Sequence, residues 1–355
     1  MKREDLFHPV GDLPAPPERP VRFGAVGLGA PHVHQMCRGL LEAGAELLSL
    51  YDPDPVLLAR FCEAYPQAKP CGSPEDVLAD PALELLVCGA IPSQRAELAV
   101  KAMEAGKDVL TDKAPMISLE QVARVREARI RTGRHWTVFY GESIHDAPSL
   151  FARDLIARGG IGRVLHVEGA GPHRLNPQMR APWFYEREKT GGILTDLVCH
   201  QIHQFLEFTD SDDAVVELAR TANFAHPQYD DWDDFGDCAL TAAGGATGHF
   251  RVDWFTPDGL STWGDGRMTI VGTEGYVELR KYCDVARSQD PCSVYVVNGE
   301  GEFRADVTPL VALPFFRRVL RDCLDRTCTA QEPERAFRAI ELAIIAQELA
   351  LQKRP

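Results

Sequence analysis

Three short stretches of this 355-residue chain carry side chains whose types and spacing could do chemistry. The first is Gly24-Ala-Val-Gly27-Leu28-Gly29-Ala-Pro-His32. Here Gly27 permits a tight turn, and Gly29 lets backbone amides approach a pyrophosphate at the start of a following helix. His32 stands where the third glycine of a GxGxxG pattern would be. Asp52 lies 52 − 29 = 23 residues after Gly29, near the ~20 expected of an acid that accepts from two ribose hydroxyls and repels a 2′-phosphate. That favours NAD over NADP; the plain alternative makes Asp52 a turn residue of Asp-Pro-Asp. The second stretch ends in Thr111-Asp112-Lys113-Ala114-Pro115, at the carboxyl end of a predicted strand, where open α/β sheets bind ligands. Lys113 there can donate to a substrate hydroxyl and help lower its pKa, or be a solvated loop lysine. The third is Gly191-Gly192-Ile-Leu-Thr-Asp196-Leu-Val-Cys199-His200-Gln-Ile-His203. At ~100° per residue, Asp196, His200 and His203 share an arc of roughly 60° on a predicted helix. A polar stripe of this kind serves acid–base chemistry or, alternatively, binds a metal. Cys199, one position off the stripe, reads as core packing.

The elements that must hold these residues follow from periodicity. Val21–Val26, Leu47–Tyr51, Leu85–Ala90, Val109–Thr111 and Trp136–Tyr140 are short apolar runs, the signature of strands buried on both faces. Helical segments alternate with them at Val33–Ala43, Pro55–Ala64, Gln94–Ala105 and Leu119–Thr132, the last opened by a Ser118/Gln121 capping box and closed by Gly133. Repeated β–α units predict a doubly wound parallel sheet. Beyond a helix at Pro148–Arg158 the texture changes to strands that predict antiparallel pairing: Arg163–Glu168, Ala214–Ala219, Cys238–Ala242, Thr247–Trp254, Met268–Val271, Tyr276–Leu279 and Val294–Val297. Helices at Pro314–Arg326 and Pro333–Gln352 close the chain. The fold class is thus α/β, a parallel-sheet domain followed by an α+β domain with a large, mainly antiparallel open sheet.

With 38 Lys+Arg against 52 Asp+Glu, the net charge of −14 disfavours nucleic acid as a partner, since no basic surplus exists to release counterions. No apolar run approaches the ~18–20 residues of a membrane helix, and the Pro-rich residues 1–20 have no export-signal core and read as an extended arm. Ten scattered cysteines without a CxxC indicate reduced thiols and a cytoplasmic location.

Taken together, Val26-Gly-Leu-Gly29, Ala105-Gly-Lys-Asp-Val-Leu-Thr-Asp-Lys-Ala-Pro115, Gly160-Ile-Gly-Arg-Val164, Gly191-Gly192…Asp196…His200 and Val271-Gly-Thr-Glu-Gly275 make the chain resemble the Gfo/Idh/MocA family of nicotinamide-dependent oxidoreductases over nearly all of Val21–Pro355. The resemblance implies a Rossmann dinucleotide-binding domain over residues 21–145 and a substrate and oligomerisation domain over 146–355, whose last helices pack back on the first. It implies a homodimer or homotetramer formed through the open sheet. Lys113 matches the lysine of the family's Glu-Lys-Pro motif, with Asp112 and Ala114 as departures. Asp196 and His200 match the Asp and His of inositol-dehydrogenase-like members, and His203 stands where many members carry Asp. Pro92-Ser93 resembles the Thr-Pro-Asn turn that flanks the cofactor. Gly27, Leu28, Gly29, His32, Asp52, Pro92 and Lys113 are therefore the expected cofactor contacts, and Lys113, Asp196 and His200 the expected catalytic residues.

The expected activity is NAD-dependent hydride transfer from a secondary alcohol carbon of a sugar, cyclitol or sugar acid, with His200 as base because an imidazole titrates near working pH. Arg174, Trp183, Tyr185 and His203 are the candidate substrate contacts. Arg180, Glu186, Trp254 and the Trp263–Arg267 segment are further candidates for the same pocket. Rings beside polar groups suit a sugar, and Arg174, Arg180 or Arg267 could instead pair with a carboxylate. Arg280-Lys281 reads as a solvated strand end. Two alternatives share the fold: a redox-assisted glycoside hydrolase or lyase, and a non-catalytic sugar or dinucleotide sensor.

Overall fold

In the computed structural model, which describes residues 1–285 and 292–352, one turn of helix, α1 (Arg3–Leu6), opens the chain. The β–α alternation then takes the form β1 (Arg22–Val26), α2 (Pro31–Glu42), β2 (Glu46–Tyr51), α3 (Pro55–Ala64), β3 (Lys69–Pro70), α4 (Pro74–Leu78), β4 (Leu85–Cys88), α5 (Pro92–Glu104), β5 (Asp108–Asp112), α6 (Leu119–Thr132) and β6 (Trp136–Phe139). The strands pair in parallel in the order β3-β2-β1-β4-β5-β6. Every residue of β4 and β5 is buried, which is why those runs show no polar alternation. β3 and α4 are additions to the expected pattern, too short for a period to register. Helix starts follow side-chain chemistry: Asp54 accepts from the Val56 amide, Ser73 from that of Asp76 and Ser118 from that of Gln121. Gln121 reaches back one residue further than a capping box requires, accepting from the Ile117 amide at 2.9 Å.

The rest of the chain supplies α7 (Gly141–Ile144), α8 (Ala147–Ala157), β7 (Val164–Pro172), α9 (Arg187–Thr190), α10 (Cys199–Phe208), β8 (Ala214–Ala222), β9 (Phe235–Ala242), β10 (Thr247–Asp253), β11 (Arg267–Gly272), β12 (Gly275–Arg280), β13 (Ser293–Asn298), β14 (Gly301–Asp306), α11 (Phe315–Asp325) and α12 (Pro333–Gln352). An eight-stranded sheet runs β14-β13-β12-β11-β7-β10-β9-β8. It is antiparallel except for β7 against β10, because the connection from β7 to β8 is a helical crossover through α10 rather than a hairpin. α8 and α10 pack against β12 and β7, and Phe205 of α10 meets Phe250 of β10 edge-on. In β10 the inward Gly248, Phe250 and Val252 alternate with the outward Thr247, His249 and Arg251 as expected; Asp253 departs from the pattern and is buried.

The described chain divides into two compact units: Leu13–Phe139 with Pro314–Phe337, and Met1–Asp12 with Tyr140–Leu313 and the chain from Arg338 onward. In the first, Phe337 stacks on Trp136 and Phe316 on Phe139. In the second, the first twelve residues are docked rather than free: Leu6 is fully buried, Phe7 stacks on Phe151, and Arg158 donates to the Asp5 and Leu6 carbonyls. No helix of the described residues is long and apolar enough to cross a membrane.

Candidate active site

In the first unit the Gly27–Gly29 loop joins β1 to α2. Gly27 has φ = +79°, and a Cβ there would lie 2.1 Å from the Ala90 amide nitrogen, so only glycine fits. Ala30, the residue before α2, offers no side-chain cap, and the first turn carries no acid. Pro31 brings no amide and that of Val33 donates to the Ala30 carbonyl, so the amides of Gly29, Ala30 and His32 are those this turn can offer a dinucleotide pyrophosphate. Asp52, at the end of β2, accepts from the Leu28 amide at 2.5 Å and from the Asp54 amide at 2.8 Å, so it anchors the glycine loop as well as marking the strand end. Pro92 is buried at the first position of α5. His32 explains the missing third glycine: its Nδ1 lies 2.9 Å from Asp112 Oδ1, tying the start of α2 to the end of β5.

Lys113 follows directly. Its peptide is held by a frame that sequence reasoning missed: Arg95, only 3% exposed, donates to the carbonyls of Lys113 and Ala114, to the Asp112 carboxylate at 3.2 Å and to the Ala90 carbonyl. Burial alone would raise the Asp112 carboxyl, but His32 and Arg95 outweigh it and hold this group well below the usual carboxylate range. Asp112 is thus a fixed anion that orients the backbone carrying Lys113, whose amide donates to it at 2.7 Å.

In the second unit, Asp196 does not lie on a regular α-helix. Leu194–Val198 is a π turn, and α10 begins only at Cys199, so Asp196 precedes His200 across an irregular turn. The turn is fixed from α12: the Leu194 amide donates to Gln347 Oε1 at 2.9 Å, and Gln347 fills the space a Cβ on Gly192 would need. His200 and His203 are 2% and 1% exposed. Tyr140 meets His200 edge-on and lies tilted against His203 with ring centroids 4.8 Å apart, while His203 Nδ1 is 2.7 Å from Ser143 Oγ. Among the described residues no group of three or more His, Cys, Asp or Glu is placed to hold a metal ion.

Lys281 corrects the sequence reading outright. Instead of a solvated strand end, it is 2% exposed and donates to Glu142 and to Gln204, both at 3.0 Å. Gln204 in turn donates to the Glu142 carbonyl and to Ser149, whose hydroxyl donates to Asp146. Burial would raise the Glu142 carboxyl, but Lys281, with His200 and His173 acting at longer range, keeps it well below the usual range. Nothing in the sequence pairs Glu142 with Lys281, 139 residues away.

The candidate substrate contacts separate. Arg174 donates through Nη2 to the carbonyls of Pro257, Leu260 and Thr262 and so braces that loop. Tyr185 stacks on Tyr229 with centroids 3.7 Å apart, Trp183 is half-buried beside Phe184, and Phe184 meets Trp254 edge-on. Arg267 pairs with Asp265, and Arg180 lies over the rings of Phe184 and Trp254.

This fold and these motifs match known proteins. The oxidoreductase family with an NAD-binding Rossmann fold matches residues 21–140, and the GFO/IDH/MocA C-terminal domain matches residues 150–278. The chain belongs to the Gfo/Idh/MocA oxidoreductase family. Its Rossmann unit is of the NAD-binding kind. Among solved structures, a protein of Erwinia carotovora atroseptica SCRI1043 designated an oxidoreductase is 45% identical, with a TM-score of 0.91 over 93% of this chain and 98% of that one. A 1-carboxy-3-chloro-3,4-dihydroxycyclohexa-1,5-diene dehydrogenase of Comamonas testosteroni is 28% identical over 51% of this chain and 46% of its own. An inositol 2-dehydrogenase of Gluconacetobacter diazotrophicus is 25% identical over 52% of this chain and 53% of its own. The matched part of the chain spans about half the length of these two curated relatives.

Proposed function

We propose that this Gfo/Idh/MocA protein is an NAD-dependent dehydrogenase or reductase acting on a secondary alcohol carbon of a sugar, cyclitol or sugar acid. The observation that carries the reading is His200, a buried histidine in the first turn of α10, preceded by the Asp196 carboxylate and acting electrostatically on the Glu142 anion. The named activities of the relatives, on a carboxylated cyclic diol and on inositol, support a ring-borne alcohol. When bound, NAD supplies a hydride acceptor at C4 of its nicotinamide. Gly27, Leu28, Gly29, His32, Asp52 and Pro92 would hold it. Asp52 would accept from the ribose and disfavour a 2′-phosphate. As the substrate's C–H and O–H bonds break and its C=O bond forms, His200 takes the hydroxyl proton, and Lys113 donates to the oxygen as negative charge develops there. Asp196 bonds the substrate or biases the imidazole. His203, held by Ser143 and Tyr140, would act by keeping α10 in register.

Outward Leu165, Val215, Leu218, Val271 and Tyr276 are exposed on the eight-stranded sheet, which supports a homodimer or homotetramer through that face. A light-scattering mass of a single chain at micromolar concentration would overturn it. Ten free cysteines support a reducing, cytoplasmic location. The activity is tested with His200→Gln and Lys113→Met on a polyol panel followed by NADH absorbance. Turnover should fall by about 10²–10⁴ in both, while NAD binding to His200→Gln stays within about threefold. His200→Gln turning over within tenfold of the parent, with NAD bound, would reject the assignment.

A further inference from the structure

Resting on the dehydrogenase reading of this site, we propose that the substrate carries a carboxylate, as an aldonic or uronic acid or a carboxylated ring polyol does, and that Arg180 reads it.

Arg180 follows a short 3₁₀ turn, Pro177–Met179. Its Nε donates to the Leu175 carbonyl at 2.9 Å, which fixes the plane of the guanidinium. The flat group lies 4.3 Å from the Phe184 ring centroid and 5.0 Å from that of Trp254, so aromatic rings shield it from water. Among the described residues no carboxylate is within 4.0 Å of it, and no acceptor takes its two Nη groups. Other cations of the same unit differ. Arg174 is committed to loop carbonyls, Arg187 to Asp231, Arg251 to Asp253, Arg267 to Asp265 and Lys281 to Glu142. Of the three arginines that sequence alone offered as carboxylate partners, two are thereby spent and Arg180 is left.

Its place points the same way. Asp196, proposed above as part of the catalytic set, acts on Arg180 electrostatically without forming an ion pair, so the two groups serve one locale. Burial works against the charge on Arg180. A neutral polyol would leave the Nη fork without an anionic acceptor, whereas a carboxylate would take both Nη groups in a bidentate pair strengthened by the surrounding rings. The fork of Arg180 therefore selects an acid and fixes its orientation, while the hydroxyl to be oxidised is presented elsewhere on the same molecule.

The test uses the full chain with NAD and three matched probe pairs: D-galacturonate with D-galactose, D-glucuronate with D-glucose, and D-gluconate with D-glucitol. NADH formation and calorimetric binding are read in parallel. In at least one pair the acid should be preferred by about 100-fold or more, and Arg180→Gln should pull that ratio down at least about 30-fold. Arg180→Lys keeps the charge but not the planar fork and should fall in between. Arg321→Gln, a change at a cation paired with Asp325 on α11, should keep the parent ratio; near-ultraviolet circular dichroism checks that each variant is folded. Equal or better use of the neutral member in every pair overturns the proposal, as does binding of neither member in any pair, or a folded Arg180→Gln whose ratio moves less than threefold. Arg180-dependent acid binding without NADH would uphold the carboxylate site and reject the dehydrogenase reading. NADH from neutral members alone would do the reverse.

Discussion

Replacing Lys281 by Met should destabilise the sheet-bearing unit out of proportion to the one side chain removed. The ammonium is 3.0 Å from Glu142 Oε2 and 3.0 Å from Gln204 Oε1. At an effective dielectric constant of about 20, the gross attraction at that distance is roughly 332/(20 × 3) ≈ 5–6 kcal/mol. Most of it is offset by the cost of taking both ions out of water, so the pair's net worth is small. Removing one partner is different. It leaves the Glu142 carboxylate buried without its counter-charge, for about 3–5 kcal/mol, with a further ~1 kcal/mol for the orphaned Gln204 oxygen. The unit holds about 200 residues. At about 2.1 cal/mol/K per residue its unfolding entropy is about 0.4 kcal/mol/K, so a loss of ~4 kcal/mol lowers its Tm by about 10 °C. Scanning calorimetry resolves such a shift. The double variant Lys281→Met/Glu142→Gln, in which neither position carries a charge, should recover more than half of it. A single variant within about 2 °C of the parent, or a double variant no better than the single, would refute this account of the pair.

Other outcomes follow from the same geometry. Asp146, buried and facing Glu142, Lys281 and Ser149, is pushed from 3.8 up to about 6 by burial. The folded state therefore holds its proton more tightly than the unfolded chain, so stability should fall as pH rises from about 4 to 6, by at most ~3 kcal/mol, and Asp146→Asn should flatten that slope; parallel melting-versus-pH curves for the two proteins would exclude it. Gly27→Ala, with a Cβ 2.1 Å from a backbone nitrogen, should lower Tm and abolish NAD binding. Gly29→Ala, whose Cβ would meet only Leu57 at 3.3 Å, should keep the fold yet weaken NAD binding about tenfold or more, and calorimetric binding equal to the parent's would show that the loop does not approach the pyrophosphate. Asp52→Asn should lower the preference for NAD over NADP about tenfold or more; an unchanged ratio would mean that Asp52 only anchors the Leu28 amide.

The sheets were readable because burial on two faces, or on one, writes itself into local hydrophobic pattern. The β4 run and the alternation in β10 are each a property of a few consecutive residues. The short β3 offers no such run, and the half-exposed β14, Gly301–Asp306, has a polar outer face and no fully buried residue to mark it. Long-range polar partners were not legible. Arg95 reads as a surface residue of an amphipathic helix until its four acceptors are seen, and Lys281 reads as solvated until Glu142 is brought beside it. Arg174 and Arg180 looked equivalent in sequence, six residues apart, and differ because only the first finds three carbonyls in a loop eighty residues downstream. His32 read as a departure from the glycine pattern and is a link to Asp112.

The π turn at Leu194–Val198 has an evolutionary and an engineering reading. Such a turn is an α-helix carrying one residue too many, so it behaves as a single-residue insertion that the surrounding fold has learned to tolerate. Deleting one residue there would let the hydrogen-bond ladder close as a plain α-helix and swing Asp196 about 100° around the axis relative to His200, with no change in composition. Transplanting the pair onto an idealised helix at the same spacing would preserve both residues and change their angular offset. What the π turn sets is this offset, and Gln347, reaching in from α12, holds the turn in place.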